Sequence, residues 1–179
     1  MQTLTEKQQT TFDALKESFG YRNRMQAPRV QKLVISTGIG KVADAKKIEL
    51  IQDRLARITG QKAAPRGAKK SIASFKVRQG DVIGYQVTLR GVRMHDFLDK
   101  LIHIALPRMR DFRGIKPTAI DELGNITIGI PEHTIFPETS DEEQRDVFGF
   151  SVTIVTSATS REEAEAFLRH VGVPLRKQG

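Results

Sequence analysis

The side chains best placed to do chemistry in this chain are cations, and they fall in two runs. Lys69, Lys70, Ser71, Lys76 and Arg78 follow Pro65-Arg66-Gly67-Ala68, and a second run reads Arg108-Met109-Arg110-Asp111-Phe112-Arg113-Gly114. Ammonium groups and guanidinium forks bind phosphate and carboxylate, so the chemistry on offer is recognition and not bond making. Each run also has a plainer reading. The first could be a solvated charged face, although Pro65 to Ala68 suggests a loop, the usual seat of binding residues. The second could be an internally paired turn, although its Phe112 must be buried or must touch something. Between Gln61 and Lys116 there are thirteen Lys/Arg and four Asp, a net charge of +9. The residues before this stretch sum to +5 and those after it to −6, within a chain of +8. Such a segment attracts polyanions, and each cation that meets a phosphate releases a condensed counterion.

Other chemistries find less support. Gly38-Ile39-Gly40 with Ala43 superficially matches a dinucleotide fingerprint, but Ile58-Thr59-Gly60 stands where the acidic ribose ligand should be. A tight turn is the favoured reading, with a phosphate contact to RNA or a nucleotide cofactor as alternatives. His95, His103, His133 and His170 are scattered without metal spacing or an evident carboxylate partner, so surface or structural roles are expected. Absence of cysteine removes disulfides, thiolate zinc sites and cysteine nucleophiles, and fits a reducing compartment. No catalytic residue, metal or cofactor is expected.

The elements that must position these cations follow from patterning. Thr5 with Gln8 suggests a capping box opening a helix that buries Phe12, Leu15 and Phe19 and ends near Gly20. Arg29 to Thr37 alternates as a strand, with Leu33, Ile35 and Thr37 on one face and Lys32, Val34 and Ser36 on the other. Asp44 should cap a helix bearing Ile48, Ile51, Leu55 and Ile58, stopped by Gly60. A hairpin is expected next, with Ala73, Phe75 and Val77 on one strand, a Gln79-Gly80 turn, and Ile83, Tyr85, Val87 and Leu89 inward on the return. The opposite face of that return strand shows Gln86, Thr88 and Arg90. A third helix carries Met94, Phe97, Leu98, Leu101, Ile102 and Ala105 and closes at Pro107. Strands at Ile126–Ile130 and Val147–Thr156 flank an acidic loop, and Ser160 with Glu163 caps a last helix through Phe167 and Val171.

Strands that alternate in polarity are covered on one face only. The expected fold is therefore α+β: a mainly antiparallel sheet, helices packed on one face, and an open basic RNA-binding face opposite. A length of 179 residues suits a single domain, 1–179, with a basic loop or hairpin at 62–81 projecting from the sheet. The start, MQTLTEKQQTTF, has no apolar core, and no apolar run approaches the roughly 18 residues of a membrane span, so a cytoplasmic protein is expected. Aromatic content of 6% is low for a base-stacking platform, which directs the reading to structured RNA held by phosphate, ribose and shape. Two other classes stay open: a nucleotide-dependent enzyme using Gly38–Gly40, and a free-standing RNA chaperone.

Long motifs add a resemblance. Val82 to Pro117, VIGYQVTLRGVRMHDFLDKLIHIALPRMRDFRGIKP, preceded by GQKAAPRGAKKSIASFKVRQGD from Gly60, resembles the universal large-subunit ribosomal protein five family. PRVQKLVISTGIG from Pro28 and IGIPEHTIFPE from Ile128 extend the likeness nearly end to end. The resemblance implies a structural ribosomal protein that binds 5S rRNA in the central protuberance, beside large-subunit rRNA and other ribosomal proteins there. It places the 5S contact on Lys32, Ser36, Gln61, Thr88 and Arg90, with Ser36 standing where the family usually has Asn. It places a P-site tRNA contact on Lys69, Lys70, Ser71, Lys76 and Arg78. It places a bridge to the small-subunit head protein S thirteen on Arg110, Asp111, Phe112, Arg113 and Gly114.

Overall fold

Alternation along the strands becomes a sheet with one buried face. A computed structural model describes residues 4–40, 44–140 and 147–176. Its five strands are β1 (Val30–Gly38), β2 (Ala64–Gly67), β3 (Val82–Leu89), β4 (Ile126–Ile130) and β5 (Phe150–Thr156). They lie in the order β2-β3-β1-β5-β4 in an antiparallel sheet. Leu33, Ile35 and Thr37 of β1, Tyr85, Val87 and Leu89 of β3, and Phe150, Val152, Ile154 and Thr156 of β5 are buried. Lys32, Val34 and Ser36, then Gln86 and Thr88, and Ser151, Thr153 and Val155 are half-exposed. The architecture is α+β, as the alternation requires.

The chain divides into two compact units: residues 1–33, 89–128 and 153–179, and residues 34–88 and 129–152. In the first unit, α1 (Leu4–Phe19) packs on α5 (Arg161–Val171) and on α3 (Val92–Lys100). Helix α1 starts at Leu4, so Thr5 lies inside it and not at its cap, and Phe12 and Phe19 are only half-buried. Helix α3 buries Met94, Phe97 and Leu98 and runs on through a π-helical segment, Leu101–Ala105, into the short α4 (Leu106–Arg108). Pro107 accounts for the wide turn. It has no N–H for the His103 carbonyl, and its ring would clash there in a regular α-helix.

Ser160 caps α5 by accepting from the Glu163 amide at 3.2 Å. The buried Glu163 carboxylate then accepts from the Thr159 amide at 2.7 Å, from the Thr159 hydroxyl at 2.9 Å, and from the Tyr21 phenol through a short bond. Burial alone would raise the Glu163 carboxyl, but these hydrogen bonds outweigh it and hold it below the usual range. Burial, followed by the bond to Glu163 and its charge, pushes the Tyr21 phenol upward. A depressed carboxyl contributes stability fully above its unfolded value of about 4.3 and loses it as pH falls through the folded value. Tyr21→Phe is therefore expected to cost about 1–2 kcal/mol at pH 7. Urea titrations should show the gap to wild type narrowing below about pH 4, and a pH-independent gap would refute this role for the pair.

In the second unit, Asp44 caps α2 (Ala45–Thr59) by accepting from the Lys46 amide at 2.9 Å, and left-handed Gly60 ends it. Ile51, Leu55 and Ile58 form its buried stripe. Gly84 is buried because β1 passes close: a Cβ there would lie 2.6 Å from the Thr37 carbonyl oxygen. Only glycine permits that approach. The acidic loop falls partly outside the described residues, and β5 begins at Phe150 instead of Val147.

Candidate nucleic-acid interface

The hairpin arms differ from the alternation of Ala73, Phe75 and Val77. The partner of β3 is β2, with Ala64 opposite Gln86, Pro65 opposite Tyr85 and Arg66 opposite Gly84. The register shifts between Arg66 and Gly67, after which Ala68 donates to Asp81 at 2.8 Å and Gly80 donates to Ala68 at 3.0 Å. Beyond this, Ile72 and Val77 bridge each other around a 3-10 turn at Ala73–Phe75. Lys76 closes the turn in the left-handed region at φ 52°. Ala73 and Phe75 are thus exposed, and Ile83 at the mouth of the hairpin is 37% exposed instead of inward.

Within this loop the Ser71 hydroxyl accepts from the Gln79 amide at 2.9 Å, and the Asp81 carboxylate accepts from the Arg78 amide at 2.8 Å. Ser71 and Asp81 hold the backbone. Lys69, Lys70, Lys76 and Arg78 are exposed, and among the described residues their charged groups make no ion pair or side-chain hydrogen bond. Arg66 donates to the Gln86 amide oxygen.

The proposed sheet residues are divided between the units. In the first, Lys32 is half-exposed on β1 and Arg90 is exposed just past β3, where Gly91 opens α3. In the second, the Ser36 hydroxyl lies 2.9 Å from the Ser151 hydroxyl, and Gln61 donates its side-chain amide to the Thr88 carbonyl at 3.3 Å. Sequence reasoning missed Ser151 and the Thr127–Thr153 hydroxyl pair at 2.9 Å in the first unit. The alternation of FSVTIVT carried the signal for Ser151 and Thr153 on the outer face.

Arg108 to Gly114 is a turn built on the C-terminal chain. Phe112 donates to Met109 at 3.4 Å, Asp111 has φ 55°, and Gly114 has φ 87°, where a Cβ would lie a tight 3.1 Å from the Pro174 carbonyl oxygen. Ile115 donates to Pro174 and Arg176 to Ile115, both at 2.8 Å, while the Arg176 guanidinium donates to Arg113 at 3.1 Å. Phe112 is half-buried, and the Arg110 and Asp111 side chains, 3.9 Å apart, are almost fully exposed. The backbone is internally paired, and Arg110 forms a solvent-exposed ion pair with the neighbouring Asp111.

Histidines are built into the scaffold. His133 is fully buried, stacks on Phe148 at 4.3 Å and accepts from the Phe148 amide at Nδ1. His170 lies 2.9 Å from the Lys7 carbonyl. His103 does have a carboxylate nearby, Asp99 at 3.9 Å. Among the described residues no group of three or more His, Cys, Asp or Glu is disposed to hold a metal. At Gly38 and Gly40 the φ angles are not positive, and β1 sits in an antiparallel sheet between β3 and β5. The dinucleotide fingerprint requires a parallel βαβ unit, so that reading fails.

The protein is an α+β scaffold with an exposed cationic hairpin and, among the described residues, no dinucleotide-binding βαβ unit. Comparison with known proteins makes the assignment specific. The family model for ribosomal protein L5 matches residues 23–78, and the model for the C-terminus of the same ribosomal family matches residues 82–175. Relatives named large ribosomal subunit protein uL5 include those of Rubrobacter xylanophilus, 49% identical over 164 residues, and Anaeromyxobacter sp. strain K, 48% over 164, each alignment covering 91% of both chains. That of Heliobacterium modesticaldum is 46% identical over 180 residues, covering 99% of this chain and all of the relative. The chain belongs to the ribosomal protein L5 family. It is accordingly a non-enzymatic protein of the large ribosomal subunit in the bacterial cytoplasm.

Proposed function

We propose that this protein binds 5S rRNA and helps anchor it in the central protuberance, touches P-site tRNA with its hairpin, and bridges to the small-subunit head. Lys32, Ser36, Gln61, Thr88 and Arg90 are the 5S contacts in this reading. Large-subunit rRNA and neighbouring proteins of the protuberance complete the surroundings. The observation that carries the proposal is the set of exposed cations at Lys69, Lys70, Lys76 and Arg78, held on a hydrogen-bonded turn without carboxylate partners among the described residues. Charges left unneutralised on a fixed scaffold favour an external polyanion. Hydroxyl and amide groups on the outer sheet face suit ribose and phosphate, which can be bonded whatever the base. The small Arg110–Gly114 turn, with Phe112 half-buried beside exposed arginines, suits an adjustable protein contact to the small-subunit head protein S thirteen.

Alanine at Lys69, Lys70, Lys76 and Arg78 together is expected to leave 5S rRNA affinity within about 3-fold, roughly 0.65 kcal/mol. The same variant should lose P-site tRNA from purified ribosomes. Arg110→Ala with Arg113→Ala should weaken subunit association at low magnesium. If either set abolishes 5S rRNA binding and spares both ribosomal readouts, the assignment of three partners to three surfaces is wrong. Sequencing the RNA that copurifies at moderate salt identifies the principal partner directly.

A further inference from the structure

Phe75 is 72% exposed at the hairpin tip, on a hydrogen-bonded turn. The Ile72–Val77 bridge closes that turn with N–H···O distances of 2.9 and 3.3 Å, and Lys76 accepts a left-handed φ to complete it. L-residues adopt that conformation only at a cost. A phenyl ring held outward in this way forgoes the burial that drives folding. Beneath it runs a groove of about 1150 Å³ with an apolar floor that includes Ile72, Val77 and Ile83. Its rim carries Arg66, Lys69, Lys70 and Lys76, and no acidic residue lines it among the described residues.

We propose that this groove takes an unstacked nucleobase from an RNA loop, with the base against Phe75 and its flanking phosphates on the rim lysines. The inference rests on the reading that the hairpin meets RNA, and it adds what the hairpin recognises: an exposed base, not duplex backbone alone. Charge complementarity selects the occupant. An apolar protein segment would cover the floor but desolvate the cations without pairing them. A nucleotide satisfies both, because its base is a planar apolar face between two phosphates. Stacking of this kind needs one well-placed aromatic, so a chain poor in aromatic residues can still supply it.

The test titrates the whole chain with two RNAs of equal length at one salt concentration: a hairpin carrying 2-aminopurine in its loop, and a blunt duplex. Wild type is expected to bind the loop RNA about tenfold more tightly than the duplex and to change 2-aminopurine emission. Phe75→Ala should bring loop affinity down to duplex affinity, leave the duplex and the melting temperature unchanged, and abolish the emission change. Phe75→Tyr should retain all three. Lys69→Ala with Lys70→Ala should weaken both RNAs. If Phe75→Ala leaves loop affinity intact, no base stacks on the ring and the proposal is overturned. Equal affinity for the two RNAs, with both weakened by the lysine changes, overturns it but keeps the cationic hairpin. Indifference of both RNAs to the lysine changes removes the hairpin reading and the proposal with it.

Discussion

Leu89→Asp is expected to abolish cooperative folding, while Arg90→Ala, the next residue along, leaves stability within about 0.5 kcal/mol. Leu89 is 0% exposed, and Arg90 is exposed with no side-chain partner among the described residues. Removing the leucine side chain alone costs about 2–5 kcal/mol. An unpaired carboxylate in its place adds several more, against a typical total of about 5–15 kcal/mol. Arg90→Ala should instead lower 5S rRNA affinity by about 1.5–3 kcal/mol, the range of a charge-assisted hydrogen bond. Circular dichroism melts and RNA titrations on the same two variants separate the effects. Equal thermal destabilisation by both would mean that the two residues share an environment, contrary to the strand alternation.

The second large effect is ionic. If roughly 5–8 phosphates are neutralised by the cation-rich surface, log K for 5S rRNA should fall with log salt at a slope of about −4 to −6. Affinity then drops by roughly three orders of magnitude between about 50 and 200 mM salt. The motive is the +9 balance between Gln61 and Lys116 and the exposure of its cations beyond β3. A slope near −1 would show that the basic surface stays in solvent when RNA is bound.

Local chemistry made much of this fold legible. Asp44 and Ser160 cap helices because their side chains reach amides two or three residues away, a relation contained within a few letters. Alternation in β1 and β4 is legible for the same reason. Hairpin pairing was hidden because β2 buries neither face, so Ala64-Pro65-Arg66-Gly67 offers no apolar rhythm to read. The three-residue rhythm of Ala73, Phe75 and Val77 imitated a strand, whereas the backbone coils there into a 3-10 turn. Gly84 was equally opaque, since its need arises from Thr37, far away in the chain. Among the interface residues, cationic type was visible at once. What the letters did not show was which hydroxyls face each other across strands, as Ser36 and Ser151 do.

The short outer strand β2 bears on the life of the molecule before its partners cover it. An open sheet ends in two edges, and an unpaired edge is a template on which identical chains add strand to strand. At one margin stands β2, only four residues long. Pro65 withholds an amide, Arg66 adds charge, and the register shift at Gly67 breaks the ladder before it can extend. A newly synthesised copy waiting for assembly is thereby protected along this margin from amyloid-like association.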